Sequence, residues 1–176
     1  MSTQELMIKK WFWPWQDEVE EKWLEEMALQ GWHLKKADYF GKYAFEKGES
    51  QAVCYRLDYV TISKKEELES YYQLFKDSGW EHVGILGGWQ YFRTVRKDGM
   101  EQEIFTDQSS KIQKYQRLIL TYVIFIPVYV MFLTVYNLPN HWIMIFFRIF
   151  MATVLVFFST MILLISRRIN ELKKKI

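Results

Sequence analysis

Two patterns of apolar and polar positions divide the chain. Up to about residue 106, apolar residues come in short bursts: aromatic runs of strand length, then acid-rich stretches with helical spacing, then more strand-like runs. From 118 to 166 the bursts merge, and Arg148 is the only charge left. The runs 118–136 and 142–165 each match the roughly 20 apolar residues that a helix needs to cross hydrocarbon. Between them 137–141 reads Asn-Leu-Pro-Asn-His, a turn short enough to demand an antiparallel hairpin. A chain of 176 residues cannot cover two such helices all round with protein. The pattern therefore predicts a two-helix transmembrane hairpin. It follows a domain at 1–106 and a linker at 107–117, and a basic tail at 166–176 comes after it.

Within the first part the pattern repeats, over about 7–48 and 53–96. Each copy opens on an aromatic strand-like run, 7–13 or 53–59, and continues into an acidic amphipathic helix. Capping boxes are expected from Asp17 with Glu20 and from Ser63 with Glu66. At an offset of 48, Trp23, Leu24 and Met27 correspond to Tyr71, Tyr72 and Phe75. Both helices run into the same dipeptide, Gly31-Trp32 and Gly79-Trp80, where glycine stops the helix and tryptophan opens a strand. A glycine turn at Gly41, or at Gly87-Gly88, leads to a second strand. The expected fold is α+β, a duplicated βαββ unit forming a mainly antiparallel sheet with both helices on one face. Trp32 and Trp80 should be equivalent and largely buried. Ile104-Phe105 could add an edge strand.

Charge separates the parts further. With the tail from Arg167 onward at +4 and Arg148 at +1, the chain's net +2 leaves 1–117 at −3. An acidic domain is a poor binder of phosphate backbones, so no nucleic-acid partner is expected. Lys111, Lys114 and Arg117 precede the first span, basic residues follow the second, and the turn has neither Lys nor Arg. By the positive-inside rule both termini should be cytoplasmic. Residues 1–16 hold no signal-peptide core of the usual length. The expected location is a cell membrane crossed twice, with the lipid bilayer as one partner.

No catalytic pattern stands out. His33, His82 and His141 do not share a register, so no metal site is expected, and His33 and His82 are read as rim positions. Asp17, Glu18, Glu20, Glu21, Glu25 and Glu26 read as the solvated face of a helix. Cys54 is the only cysteine, which excludes an intramolecular disulfide. Neither an enzyme nor a cofactor is expected. The unusual feature is tryptophan. Trp11, Trp13 and Trp15 alternate and would share one side of a strand continuing through Pro14. Together with Trp89 they form either part of the core or an aromatic surface for an apolar ligand, a peptide or the lipid interface.

Ordered motifs resemble a known bacterial family. The runs Lys10-Trp11-Phe12-Trp13-Pro14-Trp15, Glu21-Lys22-Trp23-Leu24-Glu25-Glu26-Met27-Ala28 and Gly31-Trp32-His33-Leu34 are similar to those of domain of unknown function 2812. So are Tyr55-Arg56-Leu57-Asp58-Tyr59, Gly88-Trp89-Gln90-Tyr91-Phe92 and Glu103-Ile104-Phe105-Thr106-Asp107. The resemblance implies a C-terminal membrane hairpin and hints at a stress response linked to regulators of the PadR type. It supplies no catalytic residues.

These readings point to a membrane-anchored cytosolic module that binds or regulates a protein or small molecule at the inner membrane. The alternative is a transport-accessory or membrane-remodelling protein in which the hairpin is the effector. Within the hairpin, Tyr115, Tyr122, Tyr129 and Tyr136 recur every seven residues and keep close to one face. Counting down from Trp142 places Arg148 near the level of Tyr129, so a Tyr129–Arg148 pair is expected, with Ala152 and Ser159 on the same stripe as the arginine.

Overall fold

The computed structural model describes residues 4–96, 104, 108–134 and 142–174. The chain divides into two compact units, Met1–Thr106 and Asp107–Ile176. The first runs β1 (Glu5–Lys9), α1 (Asp17–Leu29), β2 (Trp32–Ala37), β3 (Lys42–Lys47), β4 (Val53–Tyr59), α2 (Lys65–Asp77), β5 (Glu81–Leu86) and β6 (Trp89–Val95). It is α+β, and every strand pair is antiparallel.

The βαββ unit is duplicated. Its strands form sheets of equivalent order, β1-β3-β2 and β4-β6-β5. In each copy the strand after the helix shifts register at the same point, between Leu34 and Lys36 in β2 and between His82 and Gly84 in β5. Both helices end at a glycine with positive φ, 78° at Gly31 and 83° at Gly79, where a side chain would be strained. Trp23 meets Phe45 edge-on at 5.6 Å, and Tyr71 meets Phe92 at 5.8 Å. Hydrophobic patterning alone would not demand a matching bulge, so the likeness goes deeper than two similar helix endings.

The arrangement of the copies differs from expectation. Among the described residues there are two three-stranded sheets rather than one, and the helices do not share a face. Each helix covers the equivalent face of its own sheet, but the copies stack, so α1 also packs on the second sheet while α2 covers that sheet's other side. Alternation along β4 shows this. Val53, Tyr55 and Leu57 join Leu24, Met27, Ala28, Tyr43 and Phe45 in one core, whereas Cys54 joins Phe75, Trp80 and Phe92 in another. With both faces covered, every residue of β4 except Arg56 is buried.

Local expectations shift too. The N-caps are Gln16 and Lys64 rather than Asp17 and Ser63, and neither N-cap side chain makes a capping hydrogen bond. Strand β1 ends at Lys9, well before Trp13, because Pro14 and Trp15 form a turn. Trp80 is buried as expected, but Trp32 is only half-buried, with the Lys47 ammonium 4.6 Å above its ring. Ile104 packs beside Phe75 and Trp80. Phe105 lies outside the described residues.

The second unit holds α3 (Gln108–Val123), α4 (Ile126–Thr134) and α5 (Trp142–Lys173). The stretch expected as a linker is thus helical from Gln108, and α5 continues through most of the basic tail. The first arm is interrupted at Ile124-Phe125, just before Pro127, whose missing N–H leaves the Val123 carbonyl without its helical partner. There the Phe125 N–H donates to the Tyr122 carbonyl at 3.2 Å, one residue short of α-helical spacing. By length and composition, Ser109–Phe132 and Ile145–Lys173 can each cross a membrane. The expected turn at 137–141, with Tyr136 and His141, lies outside the described residues.

Candidate functional site

Where the copies meet at one end of the first unit, the chain leaves an open cleft of about 1030 Å³. Its first wall is the end of the β2–β3 hairpin, His33 and Glu46 to Glu49. The other is the exit of α2, Ser78-Gly79-Trp80, with the start of β5 and the end of β6. Ile104 also lines it. The floor is apolar because Val53, Phe75 and Trp80 are core residues seen from outside.

The rim is polar and held in place. Arg93 grips Glu81 with both ends of its fork, Nε to Oε2 at 2.7 Å and Nη2 to Oε1 at 3.1 Å. The His33 ring hydrogen-bonds through Nε2 with the Glu49 carbonyl at 2.8 Å and lies against Gly48 so closely that a Cβ there would sit 2.8 Å from it. Lys47 donates to the Gln30 carbonyl at 2.9 Å, and Thr94 Oγ1 to the Gly79 carbonyl at 2.8 Å. An apolar floor under a fixed, mixed-charge rim suits an amphipathic ligand or a short peptide. Among the described residues no cluster of three or more His, Cys, Asp or Glu is placed to hold a metal.

The solvated-face reading holds for Glu26, which is exposed, but not for three other acidic residues of α1. Asp17, Glu20 and Glu21 are buried. Strand β4 is an edge, and its outward N–H groups need acceptors. Glu21 Oε1 accepts from Leu57 N–H at 2.7 Å, and Glu25 Oε1 from Tyr55 N–H at 3.1 Å. Arg56 Nη1 reaches Glu25 at 2.9 Å, and Arg96 Nη2 reaches its other oxygen at 3.0 Å. Glu20 Oε1 accepts from Tyr43 of the first copy at 2.8 Å and from Tyr91 of the second at 2.7 Å. Burial holds the Glu20 carboxyl above its ordinary range, against the lowering effect of the two tyrosine bonds. Burial, and then the Glu20 charge, push both hydroxyls up. Glu20 thus bonds one tyrosine from each copy and acts as a joint between them. Sequence signalled it only through the run Val53-Cys54-Tyr55-Arg56-Leu57-Asp58-Tyr59, too apolar on both faces for a strand covered on one side.

Three of the four tryptophans singled out in the sequence are neighbours. Trp11 and Trp13 meet edge-on at 6.4 Å, and Trp13 and Trp15 stack at 5.4 Å and 6°. Their contact arises from the turn at Pro14, not from strand alternation. Phe12, between them, turns inward onto Trp23 and Tyr43. Trp89 packs edge-on against Tyr59 at 5.4 Å, at the rim of the core. His82 is half-buried: it stacks on Tyr72 at 4.2 Å and bonds Gln90, and burial lowers its pKa. In the hairpin Tyr129 stacks on Phe158, ten residues beyond Arg148, at 5.5 Å. Phe132 meets Phe147, the neighbour of Arg148, edge-on at 6.2 Å. Ala152 is exposed; the packed stripe instead carries Met151, Ile165 and Leu172.

Residues 16–127 match the family described as Protein of unknown function (DUF2812), more than half of the chain. The chain belongs to this family. The match begins just after the Trp11–Trp13–Trp15 loop and runs as far as Pro127, so it takes in the elements from α1 to α3, including the whole second βαββ copy, and leaves out β1. No curated protein and no solved structure matches the chain.

Proposed function

We propose that this DUF2812 protein is a membrane-anchored binding module, with the cleft between its copies as the ligand site and both termini in the cytosol. The observation that carries the reading is the cleft itself. Its volume lies at the upper end of the roughly 300–1,000 Å³ of small-molecule sites, and its floor and rim divide into apolar and polar parts. A photo-crosslinking residue at Glu49, used in native membranes, should give a defined adduct that Thr94→Trp, which fills the cleft, abolishes. Adducts no different from those at exposed Glu69 on α2 would sink the reading. Reporter fusions at Met1 and Ile176 test the orientation, and a periplasm-active reporter at either end would overturn it.

Two features favour the hairpin as effector instead. Pro127 interrupts the first arm, and Arg148 is half-buried within the apolar stretch of α5. If Arg148→Leu abolished the cellular phenotype while the Glu49 adduct persisted, the effector would be the hairpin.

A further inference from the structure

The end of the first unit opposite the cleft collects aromatic residues that the core does not use. The Lys10 N–H donates to the Gly41 carbonyl at 2.8 Å, which sets the tryptophan loop beside the β2–β3 turn. That turn carries Tyr39 and Phe40, 71% and 72% exposed, and Trp11 beside it is 60% exposed. Tyr39 in turn reaches the β5–β6 turn, where a Cβ on Gly87 would come within 3.1 Å of its ring. Loops from both copies therefore build one apolar tip.

Its charge is equally specific. Lys9 and Lys42 stand directly opposite each other across β1 and β3, and like charges in that position repel. At the other end of the same strand pair the facing residues are Glu5 and Glu46. The outer face of this sheet thus runs from an acidic pair, whose Glu5 is held by Lys35 at 2.7 Å, to a lysine pair at the aromatic tip, with Met7, 60% exposed, between them. At the tip Asp38 is the neighbouring anion of Lys42. Tryptophan and tyrosine beside lysine are the residues that settle at a bilayer's headgroup level, and an anionic headgroup relieves the lysine repulsion.

We propose that this tip docks on an anionic lipid surface. The proposal rests on the membrane-anchored reading, because the apolar helices of the same chain then hold the domain within reach of that surface.

The test uses the full chain in vesicles with and without anionic lipid, with an environment-sensitive fluorophore on single introduced cysteines; Cys54 is fully buried and stays. The labels go on Phe40→Cys at the tip, Glu49→Cys at the cleft and Val156→Cys on exposed α5. On anionic vesicles labels 40 and 156 should be quenched by nitroxide lipid, and label 49 by aqueous iodide. Adding Lys42→Ala should lower lipid quenching at 40 on anionic but not on neutral vesicles. If 156 is lipid-quenched while 40 remains as open to iodide as 49, the docking proposal falls and the anchor stands. A label at 40 shielded from both quenchers would mean a protein covers the tip, which also overturns it. Loss of lipid quenching at 156 would remove the anchor reading and the docking with it.

Discussion

Helices α1 and α2 occupy the same place in two copies of one unit, yet they live in different surroundings. Helix α1 lies between two sheets, and Asp17, Glu20, Glu21, Leu24, Met27 and Ala28 are all buried along it. Helix α2 covers one sheet from outside and buries only Phe75. Ala28 is wholly buried, whereas its counterpart Lys76 is exposed; Glu21 bonds a strand edge, whereas its counterpart Glu69 pairs with Lys65 in solvent. Duplication supplied the same framework twice, and stacking decided what each position must do.

The sharpest way to break this comparison is to exchange residues between the copies. Ala28→Lys places the second copy's residue where α1 meets both sheets, and both the added volume and the buried charge oppose folding. It should cost about 4–5 kcal/mol or more. Lys76→Ala should stay within about 0.5 kcal/mol, as exposed substitutions do. Chemical denaturation of the full chain in detergent, followed by tryptophan fluorescence, reads both. If Ala28→Lys is tolerated, α1 is not sandwiched.

A second pair sharpens the boundary of equivalence. Trp80→Ala removes a buried ring from the core beside Phe75 and Phe92 and should cost about 3–5 kcal/mol. Trp32→Ala removes a half-buried ring whose face is occupied by Lys47, so its cost should be clearly smaller. Equal costs would mean that the two positions are alike in burial as well as in sequence.

Much of the framework was legible because local rules fix it. The Gly-Trp helix endings, the glycine turns and the offset of 48 all follow from backbone demands that repeat with the copy. The stacking was not legible, because the second face of α1 consists of Ala28 and carboxylates, which read as solvent-facing in any local pattern. Nothing near Glu21 in sequence reveals that a strand edge 36 residues away will lack acceptors. The cleft was hidden for a related reason, since its walls are the ends of hairpins from different copies. Its floor residues Val53, Phe75 and Trp80 each looked like ordinary core. The tryptophan loop was legible in composition but not in geometry, because Pro14 made a turn where alternation suggested a strand.

Glu21 and Glu69 turn that illegibility into a measurement. Glu21→Ala leaves the buried Leu57 N–H without its acceptor and should cost about 1–3 kcal/mol, the penalty for a buried group left unsatisfied. Glu69→Ala removes an exposed pair with Lys65 and should change stability by less than about 0.5 kcal/mol. Adding Arg56→Ala to each tests coupling. It should be non-additive with Glu21→Ala, because Arg56 Nη1 lies 3.8 Å from Glu21, and additive with Glu69→Ala.

The smallest effect concerns Glu20, whose counterpart in α2 is Leu68, so that only the first copy carries this titration. Burial holds its carboxyl above the ordinary 4.5, although Tyr91 and Tyr43 donate to it. The folded chain therefore holds the proton more tightly than the unfolded chain does. That contribution to stability is complete below 4.5 and is lost as pH rises through the raised folded value. Glu20→Gln keeps a neutral acceptor for both tyrosines and cannot ionise. The stability of the natural chain relative to this variant should then fall as pH rises from about 4 and level off once Glu20 is ionised. Comparing the two chains cancels the other carboxylates, whose pH dependence is common to both. A difference that stays flat with pH would show that the two tyrosine hydrogen bonds balance desolvation, and one that grows in favour of Glu20 as pH rises would show that they outweigh it and that the joint between the copies is held by a charged group.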